Sequence, residues 1–266
     1  MCFNKYIQIV LENLMTEVLK MPRFFIAGTN ILGGMAFMRG RDAEHVHVLR
    51  LRPGDDVILC DTEGSDYKCR IVKATREEVE AEVLEVTPCR SEPSVKASVL
   101  CALPKGSDKT DYIIQKSVEA GAFEICFFSS ERCVAKLDEG GREKKLERWQ
   151  RISEEAAKQS GRGIIPQVRW IGDFTQCLDT AIKKDLSLFM YETGERESLE
   201  QALQGCREIS TAAIITGSEG GFAPFEADLA RVTGCHICSM GERILRCETA
   251  PIVALSSLMF ASGNLG

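Results

Sequence analysis

Two glycine-bearing loops near the end of the chain hold the residues best suited to chemistry. The first is Ile214-Ile215-Thr216-Gly217-Ser218-Glu219-Gly220-Gly221-Phe222-Ala223-Pro224, an apolar strand running into glycines and then into a helix opened by proline. Glycine lets the backbone approach a bound molecule closely, and loops at the carboxyl ends of parallel strands are where α/β proteins hold ligands. The spacing fits neither the GxGxxG dinucleotide fingerprint nor a P-loop, since no Lys-Ser/Thr pair follows the second glycine. A tight turn with no ligand is the plainer alternative. The second loop is Met240-Gly241-Glu242-Arg243-Ile244-Leu245-Arg246-Cys247-Glu248-Thr249-Ala250-Pro251, again a strand end, a glycine, and an entry into an apolar helix. Its two arginines beside an acid fit either the handling of an anion or an ion-paired helix start. If the two strands are neighbours, both loops line one pocket.

The elements that must position these loops follow from periodicity. Residues 1–20 have a helical apolar spacing through Leu11, Leu14, Val18 and Leu19, and read as an added helix or an upstream start before Met21. From residue 21 to about 86 the pattern is one of short strands: 56–60, a turn at Glu63-Gly64-Ser65, a return over 66–72, and alternation over 79–86. Closely spaced strands of this kind predict a small β-barrel. A proline-bounded stretch, 88–93, marks the linker. Beyond it apolar runs alternate with helical stretches: strands at 95–103, 124–128, 186–191, 212–216 and 236–240, and helices at 109–121, 142–160, 224–232 and 249–261. That order predicts an α/β domain with a largely parallel sheet. The expected organisation is an extension at 1–20, a barrel at 21–92 and an α/β domain at 93–266.

Composition narrows the class. A chain of 266 residues, 44% hydrophobic and 27% charged, can bury one large core or two. No window is apolar enough for a membrane span and the opening residues lack a secretory pattern, so a cytoplasmic protein is expected. The 12 cysteines are scattered among strand-like neighbours and read as buried free thiols. Cys235-His236-Ile237-Cys238 has no second ligand pair and reads as a strand, and His45 and His47 lack a carboxylate at ligand spacing, so no metal is expected. A net charge of −6 argues against wholesale coating of nucleic acid. A local basic face remains open to it, because residues 21–52 carry Arg23, Arg39, Arg41, Arg50 and Arg52 against only Asp42 and Glu44.

Gly217-Ser218-Glu219-Gly220-Gly221, then Met240-Gly241, then Arg243-Ile244-Leu245-Arg246-Cys247-Glu248-Thr249-Ala250 resembles the signature of the RsmE-type 16S ribosomal RNA uridine N3-methyltransferases of the SPOUT superfamily. Further stretches resemble family motifs in their usual order: Pro22-Arg23-Phe24-Phe25, His47-Val48-Leu49-Arg50, Pro104-Lys105-Gly106, Ile114-Gln115-Lys116, Ser130-Glu131-Arg132, and Glu155 through Arg162. The resemblance covers nearly all of residues 21–266. It departs from the family at Ser218, where proline is frequent, at Cys247, where threonine is frequent, and at residues 1–20, which have no counterpart.

The resemblance implies a PUA-like barrel that grips RNA, an α/β domain whose C-terminal segment is threaded into a trefoil knot, and a homodimer. It implies S-adenosylmethionine as cofactor and, as substrate, a uridine in the decoding region (helix 44) of 16S ribosomal RNA in the small subunit. Uracil N3 carries a proton and attacks a methyl donor only once that proton has left. Arg246 or Arg243 suits the stabilisation of the resulting anion, and Glu248 or Glu219 the acceptance of the proton. Tyr191, Thr216, the 217–221 loop, Met240, Gly241, Ile244 and Leu245 are expected to hold the cofactor, and Arg23, Arg50 and Lys105 to meet phosphates. Two alternatives stay open: a SPOUT methyltransferase acting on another RNA base, and a non-catalytic RNA-binding protein of the same fold.

Overall fold

The computed structural model describes residues 21–265, so the helical reading of residues 1–20 lies outside it. Contacts divide the described chain into two compact units, one running to Ser91 and taking in Gly161–Ile164, the other comprising Glu92–Ser160 and the chain from Ile165 onward. Among the described residues no helix is long and apolar enough to cross a membrane.

In the first unit the strands are β1 (Arg23–Phe25), β2 (Ile31–Leu32), β3 (Met35–Arg39), β4 (Asp56–Cys60), β5 (Ser65–Ala74) and β6 (Glu78–Pro88). They pair in the order β1-β4-β5-β6-β3-β2, antiparallel except for β1 against β4. Alternation buries one face, where Phe24, Met38, Leu59, Ile71 and Val79 meet. The sheet forms a half-barrel, in keeping with the small barrel expected from the sequence. Its edge strands, β1 and β2, are 3 and 2 residues long, too short to supply a closing ladder. Helix α1 (Arg41–Val48) interrupts the strand pattern, because Ala43 and Val46, one turn apart, are the residues it buries.

Arg23, expected to meet phosphate, is paired within the first unit. Its guanidinium grips Asp66 through both terminal nitrogens, at 3.0 and 2.6 Å, and its Nε donates to the Arg162 carbonyl at 3.0 Å. With the side chain only 10% exposed, this fork ties β1 to β5. Arg50 is exposed, as a phosphate contact requires.

The second unit begins with β7 (Lys96–Ala102), α2 (Ser107–Glu119), β8 (Glu124–Ser129), α3 (Glu139–Ser160), β9 (Gln167–Asp173) and α4 (Phe174–Ala181). It continues with β10 (Leu186–Met190), β11 (Glu197–Ser198), α5 (Leu199–Ala202), β12 (Thr211–Thr216), α6 (Pro224–Val232), β13 (His236–Ser239) and α7 (Ala250–Ala261). The sheet order is β11-β13-β10-β12-β7-β8-β9, and each pairing is parallel. A parallel sheet covered on both faces needs continuously apolar strands, which β8, β10 and β12 supply. The cysteines of the described residues are free thiols and most are buried, including Cys235 and Cys238 at β13. Burial pushes the Cys238 thiol up to about 12, so it packs as a small hydrophobe.

Phe222, directly after the first glycine loop, plugs into this core. Its ring centroid lies 4.4 Å from that of Phe189 and stacks at 6.5 Å on Phe128. The loop is thus pinned at both ends, by the buried strand β12 before it and by Phe222 after it.

Candidate active site

Because the neighbouring strands β13, β10 and β12 run parallel, the loops that follow them emerge at the same carboxyl-terminal edge of the sheet, where α/β proteins bind ligands. These loops enclose a cavity of about 400 Å³. It is lined by Tyr191 from the first loop and by Thr216, Gly217, Ser218, Glu219 and Gly221 from the second. The third contributes Met240, Gly241, Arg243, Ile244, Leu245, Arg246 and Glu248. The two loops picked out by spacing therefore meet around one space. Gly241 shapes it most directly: its φ is +92°, where side chains are strained, and an added Cβ would meet nothing within 4 Å, projecting instead into open space.

Gly220 is the exception among the loop residues. It lies against Arg132 rather than on the cavity wall, and an added Cβ would stand 2.9 Å from the Arg132 Cβ and 3.0 Å from its carbonyl oxygen. Glycine at 220 is a packing requirement between two loops, not a ligand contact. Lys105 also braces this loop: its backbone N–H donates to both oxygens of Glu219, at 3.1 and 3.2 Å, while its side chain stays exposed. Ser218 Oγ, buried on this wall, has no hydrogen-bond partner among the described residues.

Two residues outside the sequence motifs hold the loops in place. Glu226, 1% exposed, accepts from the Ala223 N–H at 2.7 Å and from the Glu131 N–H at 3.0 Å, tying the 130–133 loop to the start of α6. Lys109 on α2 donates to Glu219 Oε1 at 2.6 Å and lies 3.8 Å from Glu248 Oε2. Burial alone would raise the Glu219 carboxyl, but the Lys109 hydrogen bond and backbone N–H donors outweigh it and hold the group below the usual carboxylate range. Glu248 is depressed in the same way: burial is outweighed by its backbone hydrogen bond, by the Cys247 thiol donating at 3.2 Å, and by Lys109 and Arg246. Cys247 itself is pushed up to about 12 by burial and stays a neutral donor. Arg246 is the loose member, 3.9 Å from Glu248 Oε1 and 85% exposed.

The cavity thus combines glycine backbone, apolar side chains, ionised carboxylates and an unrestrained arginine. Lys109 could not be read from the motifs because it stands on a helix over a hundred positions before its partners. Glu192, which also lines the cavity, carried no signal beyond its place after a strand.

Residues 90–259 match the model of an RNA methyltransferase domain, and residues 39–84 that of an RNA methyltransferase PUA domain. The chain is 36% identical to ribosomal RNA small subunit methyltransferase E of Bacillus subtilis, over 83% of this chain and 88% of that one. Its fold superposes on the crystal structure of ribosomal RNA small subunit methyltransferase E from Neisseria gonorrhoeae bound to S-adenosyl methionine, with a TM-score of 0.79 and 30% identity over 90% of this chain and 97% of that one. A Legionella pneumophila protein solved in complex with the same cofactor gives a TM-score of 0.81 at 28% identity, covering 91% of this chain and 98% of that one. The half-barrel sheet, the parallel α/β unit with its loop-lined cavity, and these likenesses over most of the chain lead to one assignment: the chain belongs to the ribosomal RNA small subunit methyltransferase E family.

Proposed function

We propose that the cavity binds S-adenosylmethionine and that the protein methylates N3 of one uridine in the decoding region, helix 44, of 16S ribosomal RNA in the small subunit. The observation that carries this reading is the meeting of both loops around one cavity, with glycine backbone and apolar walls beside arginines and ionised carboxylates. A volume of about 400 Å³ suits a small molecule. Glu192, Glu219, Glu242 and Glu248 line it together with Lys109, Arg196, Arg243 and Arg246, a balanced charge set that offers acids to a sulfonium and an ammonium and bases to a carboxylate. Met240, Ile244 and Leu245 give an adenosine apolar contact, and the space over Gly241 lets it approach the backbone.

When bound, the cofactor supplies an electrophilic methyl group, and no metal is called for. The protein must favour the uracil anion. Arg246, with no tight partner, is free to meet the ring oxygens on which the charge develops. Glu248 is kept ionised and accepts the N3 proton or relays it to water. Its depressed affinity for protons makes it a weak base, so the larger share of the work falls to the arginine. Glu219 is occupied by Lys109 and the Lys105 N–H and serves the scaffold. Arg243, exposed on the same loop, and Arg50 and the Lys105 side chain meet the RNA backbone.

Two further features complete this reading. The protein acts as a homodimer, supported by apolar side chains left exposed on α6 (Phe225, Leu229, Val232) and α7 (Val253, Phe260). Segment 240–249 is threaded past 191–210 to form the trefoil knot, supported by both segments lining one cavity. A cytoplasmic site of action follows from the substrate.

The test is transfer from methyl-labelled S-adenosylmethionine to small ribosomal subunits purified from cells lacking the protein, followed by digestion to nucleosides. The expected product is 3-methyluridine. Label in any other nucleoside, or none, overturns the reading.

A further inference from the structure

One carboxylate from the loop after β12, Glu219, and one from the loop after β13, Glu248, face a single cation from a third element, Lys109 on α2. Lys109 Nζ is 2.6 Å from Glu219 Oε1 and 3.8 Å from Glu248 Oε2, with Cys247 Sγ at 3.9 Å. The N–H of Lys105, just ahead of α2, adds its bonds to Glu219, so the start of α2 grips the first loop by backbone and side chain together. Without that cation the two loops would present two negative charges to each other across the cavity mouth, and like charges at this range repel. The lysine side chain is 34% exposed, and its partners are 36% and 17% exposed, so water tempers the pair without dissolving it. We propose that Lys109 is the positioning residue of the cavity, clamping the 217–221 and 240–249 loops to each other through one carboxylate from each before any ligand enters.

Two consequences separate this role from general stabilisation. Both carboxylates are held below the usual range in part by Lys109, so its loss lets them take up protons at higher pH. The remaining charged groups on the cavity wall, Glu192, Arg196, Glu242, Arg243 and Arg246, keep their places, and Cys247 stays neutral. Removal of Lys109 therefore moves the acid limb of ligand binding as well as weakening it.

The inference rests on the cavity being the S-adenosylmethionine site, so the wild-type chain is the first arm of the test. Calorimetry with S-adenosylmethionine from pH 4 to 8 is run on the full-length wild type, Lys109→Met, Lys109→Arg and Glu219→Gln. For Lys109→Met we expect binding at neutral pH about two- to fivefold weaker, with the acid midpoint moved to higher pH. Lys109→Arg should restore most of both. An unaltered affinity and midpoint in Lys109→Met overturns the clamp while leaving the cofactor reading standing; no binding by the wild type overturns the cofactor reading itself. Should Lys109→Met fail to fold, Glu219→Gln decides: it breaks the clamp from the other side, and wild-type affinity there rejects the proposal.

Discussion

Arg246→Ala is expected to slow methyl transfer by about 10²–10³-fold while S-adenosylmethionine affinity stays within about a factor of three. The size follows from what the residue does. A donor aimed at charge that develops only in the transition state contributes to the rate and little to ground-state binding. The structure gives Arg246 this freedom: its nearest acid, Glu248 Oε1, is 3.9 Å away, and 85% of its side chain is open to solvent. A tightly paired arginine would have to break its fork first, as Arg23 would have to leave Asp66. Single-turnover transfer with saturating cofactor, alongside calorimetry, reads the two quantities apart. Equal losses in both would make Arg246 a binding residue, and full turnover would remove it from the mechanism.

The second large effect is expected at a residue that touches no ligand. Glu226→Ala leaves the buried Ala223 N–H and the partly buried Glu131 N–H without an acceptor. Charge-assisted bonds of this kind and the desolvation of their orphaned donors amount together to about 2–5 kcal/mol. For a unit of this size that is a fall in melting temperature of roughly 5–15 °C. The 130–133 loop also packs on Gly220, so its release loosens the first glycine loop and cofactor affinity falls with stability. Thermal melting with and without S-adenosylmethionine checks both parts. A melting temperature within about 2 °C of wild type would show that water replaces the carboxylate at no cost.

The comparison of sequence with structure shows which kinds of information are local. Glycines bracketed by an apolar strand and a proline-opened helix announce themselves, and both loops were legible for that reason. Their shared cavity was legible only conditionally, because it depends on β12 and β13 both flanking β10, a matter of strand order. Strand β9 and helix α4 escaped reading. β9 lies at the sheet edge, where burial alternates weakly, and the Asp173-to-Gln176 capping box that starts α4 is a short signal in a polar stretch. The pairing of Arg23 was not legible, because a sequence shows that an arginine is present and not whether an acid stands beside it. Its partners come from positions 66 and 162, the latter in a segment that returns to the first unit from far along the chain. Lys109 was missed for the same reason: clamps between distant carboxylates leave no periodicity.

The roles of the cavity residues also follow from ranking their partners. Glu219 and Glu248 were equal candidates for the proton while only their positions were known. The 2.6 Å contact with Lys109 and the two bonds from the Lys105 N–H tie Glu219 to the scaffold, whereas Glu248 stands 3.8 Å from Lys109 and 3.9 Å from Arg246. The same ranking separates Gly220, which packs against Arg132, from Gly217, Gly221 and Gly241, which line the cavity.

The most direct test of the central claim is reverse transcription of 16S ribosomal RNA from cells with and without the protein. A methyl group on uridine N3 blocks base pairing and halts the polymerase. The expected result is a stop at one uridine in helix 44 that disappears when the protein is removed, returns with the wild-type chain, and does not return with Arg246→Ala. A stop pattern identical in the presence and absence of the protein would contradict it.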